Sequence, residues 1–157
     1  MTPKPKREYP EQPVVGVGGV VIWEGRALLI RRGSEPLKGQ WSIPGGTLEL
    51  GETLEEGVRR ELGEDTGLKV RVRELIEVFE RIFPEQPDKL ARARRPQYHF
   101  VILDYLCERV DGEPRPGSDV TDIAFVAEEE LASYNLTPAA TRVLHKAFAM
   151  ARAHAAK

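Results

Sequence analysis

Residues 45–68, GGTLELGETLEEGVRRELGEDTGL, combine a glycine turn, a short acidic loop and a helix with both ends marked. Thr53 followed by Glu56 has the form of a capping box, and Gly67 after Thr66 offers a left-handed stop, so the spacing predicts a helix from about Leu54 to Asp65. At about 100° per residue, Leu54, Val58 and Leu62 form its apolar stripe, and Glu61 and Asp65 project within roughly 20° of Leu54 on either side. Two carboxylates therefore face the protein, while Glu55, Arg59 and Gly63 face solvent. Burying unpaired carboxylates is costly, so compensation by a cation or by a positioned arginine is expected beside them. Glu61, Glu64 and Asp65 are spaced so that their oxygens can converge on one spot, and hard oxygen ligands of this kind suit Mg²⁺ or Mn²⁺. Gly45 and Gly46 let main-chain atoms approach such a metal or a phosphate closely. A surface helix with its acids paired to Arg59 and Arg60 is the other reading of the same pattern.

Around this stretch the chain has the size of one domain: 157 residues, of which 41% are hydrophobic and 31% charged. A formal charge of −2 argues against a partner held by bulk charge, so neither nucleic acid nor an anionic membrane is expected. The longest apolar stretch, Val14 to Trp23, is far short of the ~20 residues of a membrane helix. The lone Cys107 excludes an internal disulfide and fits a reducing cytoplasm. Residues 1–13, rich in proline and charge, are expected to be a mobile tail, leaving 14–157 as a single domain.

Val14–Ile22 and Ala27–Ile30 read as two strands joined at Glu24-Gly25 in an opening hairpin. Gly16, Gly18 and Gly19 do not make a dinucleotide fingerprint, because Val21 stands where the third glycine belongs. Further strands are expected around Val70–Val78, Tyr98–Leu106 and Ile123–Val126. A final helix begins at Thr137-Pro138, with Val143, Leu144, Ala147, Phe148 and Ala151 on its apolar face. Strands interleaved with two helices indicate a mixed α/β or α+β domain.

The 45–68 stretch resembles the signature of the Nudix hydrolase family, G-x(5)-E-x(7)-R-E-U-x-E-E-x-G-U with U aliphatic. Gly46, Glu52, Arg60, Glu61, Leu62, Glu64, Gly67 and Leu68 fit it, and Asp65 stands where the pattern has glutamate. The Trp41-Ser42-Ile43-Pro44 lead-in is also similar to the family. The resemblance implies an α/β/α sandwich with a mixed sheet that hydrolyses a nucleoside diphosphate linked to another moiety, using divalent cations. It implies Gly46, Glu61, Glu64 and Asp65 as metal ligands, Arg60 as the residue that orients Glu61, and Glu52 as a ligand through water or an anchor for Arg60. It also implies a homodimer. Asp65 is one methylene shorter than glutamate, which draws its carboxylate back by about 1.5 Å at most.

The ADP-ribose pyrophosphatases of that family carry a proline about sixteen residues beyond the box, where this chain has Pro84, and ADP-ribose or a related nucleotide sugar is the leading substrate by resemblance. The alternatives are a nucleoside triphosphate, as in housecleaning pyrophosphohydrolases, and a nucleotide-sensing domain without turnover. Candidate substrate contacts are Arg31 and Arg32 at the end of the second strand, Trp41 and Phe83 as stacking rings, and Arg94 and Arg95 in the basic loop 85–97. Glu113 and Asp119 are candidates for a general base, lying in a loop between two late strands.

Overall fold

The computed structural model describes residues 7–84 and 95–155. Seven strands run in the order β1 (Val14–Trp23), β2 (Arg26–Arg32), β3 (Trp41–Ser42), β4 (Gly45–Thr47), β5 (Lys69–Phe83), β6 (Tyr98–Asp111) and β7 (Val120–Ala127). Helix α1 (Leu54–Thr66) lies between β4 and β5, and α2 (Pro138–Ala155) follows a short 3-10 segment, Glu128–Tyr134. None of these helices is long and apolar enough to cross a membrane.

The opening hairpin forms with Ile22 opposite Ala27, and its two turn residues, Glu24 and Gly25, adopt positive φ of 52° and 75°. That combination is the tight turn whose twist matches antiparallel strands. Beyond the turn the two strands diverge. β1 pairs in parallel with β6 and antiparallel with β4, and β5 completes that sheet on the far side of β6. β2 instead pairs with β7 along its length and with β3 at its end. The sheet is thus mixed and splayed, and the opening between its two halves is where the site lies.

Successive strand side chains face opposite ways, and the core divides accordingly. Val17, Val21 and Leu28 pack with Val58 and Leu62 of α1. Val20, Ala27 and Leu29 pack on the other face with Val143, Leu144, Ala147 and Phe148 of α2. The result is helix, sheet, helix, the α/β/α sandwich expected from the resemblance. Gly19 belongs to the α1 contact: a Cβ there would lie 2.9 Å from both the Leu62 side chain and the Cys107 sulfur. Gly19 therefore serves close helix-to-sheet packing instead of a nucleotide loop.

Helix α1 runs one residue beyond the expected end, with both capping-box bonds present and Gly67 at φ 75°. At the start of α2, the Ala140 N–H donates to Thr137 Oγ1 at 3.2 Å. The strands exceed their expected lengths because long-range pairing carries β5 and β6 past the alternating segments, through several register shifts. The tail expected over 1–13 is held in its described half. The Tyr9 N–H donates to the Gln97 carbonyl at 2.7 Å, Gln97 Nε2 donates to Glu8 at 3.0 Å, and Pro10 is buried. Its prolines and charges fold onto a neighbour that composition alone does not reveal.

Candidate active site

Helix α1 presents its acids as its periodicity dictates. Glu61 and Asp65 are 7% and 4% exposed, while Glu55 and Arg59 pair with each other in solvent at 3.7 Å. Arg60 organises the acids. Its Nε and Nη2 grip both oxygens of Glu52, at 2.6 and 2.9 Å, in a bidentate fork. Its Nη1 donates to Glu61 at 2.7 Å and to Glu64 at 3.3 Å, and Nη2 also reaches the Thr47 carbonyl at 3.0 Å. Glu52 in turn accepts from the Glu49 N–H at 3.0 Å, which ties the loop before α1 to the same knot. The bonds to Glu52, then those to Glu61, hold the guanidinium above its ordinary pKa, so Arg60 is a permanent cation. Both readings of the sequence pattern thus hold in part: the acids face inward, and an arginine meets some of them.

Asp65 lies outside this knot. Burial, followed by the charges of Glu61 and Asp119, pushes its carboxyl up from 3.8 to about 7, against a lowering contact from the Gly45 main chain. The Gly46 backbone lies directly over Glu61, since a Cβ there would sit 2.5 Å from that carboxylate. Glu61 and Asp65 thus lie against main-chain atoms of the glycine turn, and with Glu64 on the same cleft they carry more negative charge than Arg60 neutralises. The hard oxygen set and the residual repulsion fit a divalent cation. Among the described residues no three acidic, histidine or cysteine side chains already converge as a metal cage, and Arg60 bonds oxygens of both Glu61 and Glu64.

These acids form one end of a cleft that runs over the open sheet face to Ala140 of α2. Gly16 and Gly18 leave its floor bare, and Asp104 of β6 lies beside them, 3% exposed. A Cβ at Gly18 would come within 2.4 Å of an Asp104 oxygen. Burial raises Asp104 to about 7, opposed by the charge of Arg81 on β5. Phe79, Phe100 and Ile102 supply the apolar part of the floor.

The sequence candidates separate clearly. Arg32 and Asp119 line the cleft together with Gly46, Glu61, Glu64 and Asp65. Asp119 accepts a short hydrogen bond from Ser34 Oγ. Arg31, one residue along β2, points to the opposite side, where it bonds the Gly39 carbonyl at 3.0 Å and faces Asp122 at 3.8 Å. Trp41 packs edge-on against Tyr134, with ring centres 5.2 Å apart. Pro84 ends β5 outside the cleft lining, with Phe83 beside it half exposed and tilted against Tyr98. Arg95 bonds the Tyr9 and Pro10 carbonyls, and Glu113 is exposed on its loop. Arg94 lies outside the described residues. Sequence reasoning missed Arg7, Arg81 and Asp104, all in the cleft. Asp104 carried one signal, a charge interrupting the apolar run 100–107, whereas Arg81 sits in a densely charged strand and carried none.

A NUDIX-domain family model matches residues 12–147. The chain belongs to the Nudix family. It is 35% identical over 113 residues to the ADP-ribose pyrophosphatase of Methanocaldococcus jannaschii, covering 72% of this chain and 61% of that protein. It thus spans less than two thirds of that relative's length. It is 31% identical over 108 residues to the nucleoside triphosphatase NudI of Escherichia coli K12, covering 68% of this chain and 74% of that protein. Among solved structures, a MutT Nudix hydrolase from Burkholderia pseudomallei superposes with a TM-score of 0.73 at 30% identity, covering 87% of this chain and 98% of the other. Residues 46–68 are thus the Nudix box of this chain, with Asp65 as its one departure.

Proposed function

We propose that this Nudix domain hydrolyses the diphosphate bridge of a nucleoside diphosphate linked to another moiety, with ADP-ribose or a related nucleotide sugar as substrate. The observation that carries the reading is the Glu52–Arg60–Glu61 knot at the end of a cleft where Glu64 reaches Arg60 only at 3.3 Å and Asp65 lies outside the knot. Similarity to an ADP-ribose pyrophosphatase supports the choice of substrate, and similarity to a nucleoside triphosphatase supports the rival, release of pyrophosphate from a triphosphate.

Glu61, Glu64, Asp65 and the Gly46 main chain would hold Mg²⁺ or Mn²⁺, which when bound supplies charge neutralisation at the phosphoryl oxygens and a more acidic water. Arg60 fixes the Glu61 rotamer, and Glu52 fixes Arg60 by its two-point grip. Asp119, oriented by Ser34 and facing the Asp65 end of the cleft, is the candidate to accept the proton of the attacking water. Glu113 is the weaker candidate because it lies outside the cleft lining. Water adds to one phosphorus, the bridging P–O bond breaks, and the bridging oxygen leaves with the other phosphate, giving AMP and ribose 5-phosphate from ADP-ribose. The proposal places the enzyme in the cytoplasm as a homodimer, the latter readable by sedimentation.

The test is chromatographic product analysis with ADP-ribose, ADP-glucose, diadenosine polyphosphates and 8-oxo-dGTP, each with Mg²⁺ and with EDTA. AMP and ribose 5-phosphate formed only with metal support the proposal. Monophosphate and pyrophosphate from the triphosphate alone would move the assignment to the rival. No cleavage by a folded sample that binds nucleotide would leave a sensing domain.

A further inference from the structure

Resting on the diphosphate reading above, we infer that Arg7, Arg32 and Arg81 form an anion subsite that holds the substrate's diphosphate from the side opposite α1, making Arg7, ahead of β1, a working part of the cleft. The three come from distant parts of the chain: the segment before β1, the end of β2 and the latter part of β5. All three line the same cleft as Glu61, Glu64 and Asp65.

Their bonding is unlike that of Arg60. The hydrogen bonds that Arg7 and Arg32 make run to main-chain carbonyls, Arg7 Nη2 to Glu35 at 3.4 Å and Arg32 Nε to Pro36 at 2.6 Å. Arg7 Nε is buried with no hydrogen-bond partner. Among the described residues none of the three forms an ion pair. Burial, then the charges of Arg7 and Arg81, lower the pKa of Arg32, and burial likewise lowers Arg81. Asp65 and Asp119 act on Arg32, and Asp104 on Arg81, only through the field.

Three guanidinium groups in one cleft repel each other and lose hydration, a cost that persists until an anion fills the space between them. A diphosphate has the right chemistry: two negative charges and several non-bridging oxygens, which match the forked donors of arginine. A neutral sugar or base would leave the repulsion unrelieved. The α1 acids with their cation and the three arginines would thus bracket one diphosphate from two sides. Arg7 precedes residue 12, where the family match begins, so the family model does not include it.

Thermal-shift titration of ADP and of adenosine, both in EDTA, tests the subsite without turnover or metal. ADP should stabilise the wild-type protein and adenosine should not. Arg7→Ala should weaken the apparent ADP affinity about tenfold, the scale of a hydrogen bond to a charged group. Glu8→Ala, which releases the bonds to Gln97 and Tyr98 while leaving Arg7 in place, should weaken it less. ADP binding unchanged by Arg7→Ala, equal loss from Glu8→Ala, or no ADP binding by the wild type would each overturn the subsite. If ADP binding depends on Arg7 but no substrate is hydrolysed, the subsite stands and the hydrolase reading falls.

Discussion

The α1 end of the cleft and the wall that faces it carry charge in opposite ways. At α1 each Arg60 nitrogen is bonded, and Glu52, Glu61 and Glu64 share one guanidinium. Across the cleft, Arg7, Arg32 and Arg81 make no ion pair among the described residues, and Asp104 is buried beside bare glycines. The first wall is paired around Arg60, with Asp65 outside the knot, whereas the second is a set of cations that no ion pair among the described residues meets. A paired wall gives rigidity and geometry; an unpaired wall gives affinity and selection, because its desolvation has already occurred.

The largest expected effect comes from removing a charge that the first wall does not need for folding. Glu64 is half exposed, and its bond to Arg60 is the longest in the knot, 3.3 Å. Glu64→Gln should lower kcat by about 10²–10³-fold, the scale of losing one positioned electrostatic group, with a melting temperature close to wild type. Steady-state rates and a melting curve on one preparation check this. Near-normal turnover would show that the acid wall is not the reacting one.

That wall was also the legible one, for a physical reason. Its residues lie within one turn-loop-helix stretch, where a period of 3.6 and a capping box fix which side chains share a face. The helix bounds, the inward Glu61 and Asp65 and the Arg60 contacts all follow from spacing within 20 residues, Gly46 to Asp65. The opposite wall depends on which strands lie side by side. Nothing local tells that Asp104 falls opposite Gly18, or that Arg81 pairs with Phe100 after several register shifts. Arg31 and Arg32 were indistinguishable because alternation separates two neighbours only once the buried face of β2 is known. The tail was read from composition, and its docking on residues 95–98 is a long-range contact of the same illegible kind.

Next in size is the removal of the hub. Arg60 and Glu52 are 19% and 12% exposed, so Arg60→Ala leaves carboxylates poorly solvated and unpaired. A loss of about 3 kcal/mol is expected, together with most of the activity. Chemical denaturation checks it, and a loss below about 1 kcal/mol would mean that the knot is no better than a surface pair. Gly19→Ala should cost about 1–3 kcal/mol by overpacking, because its Cβ meets Leu62 and Cys107 at 2.9 Å and lifts α1 from the sheet. It tests how firmly the paired wall is seated without touching a charge.

The smallest effect sharpens the other side. Burial raises Asp104 from 3.8 to about 7, so the folded protein keeps a proton that the unfolded chain releases once the pH passes about 4. The folded state therefore binds more protons than the unfolded state between those values, and stability falls as pH rises through that window, levelling off above 7. Asp65 adds a slope of the same sign in metal-free protein, so only the difference between wild type and Asp104→Asn isolates Asp104. In EDTA the variant should match or trail the wild type at pH 5 and gain on it by about 1 kcal/mol, or a few degrees in melting temperature, by pH 8. Parallel melting curves across that range would mean that Arg81 keeps Asp104 ionised throughout. The facing wall would then already be half paired, and its contrast with α1 would rest on Arg7 and Arg32 alone.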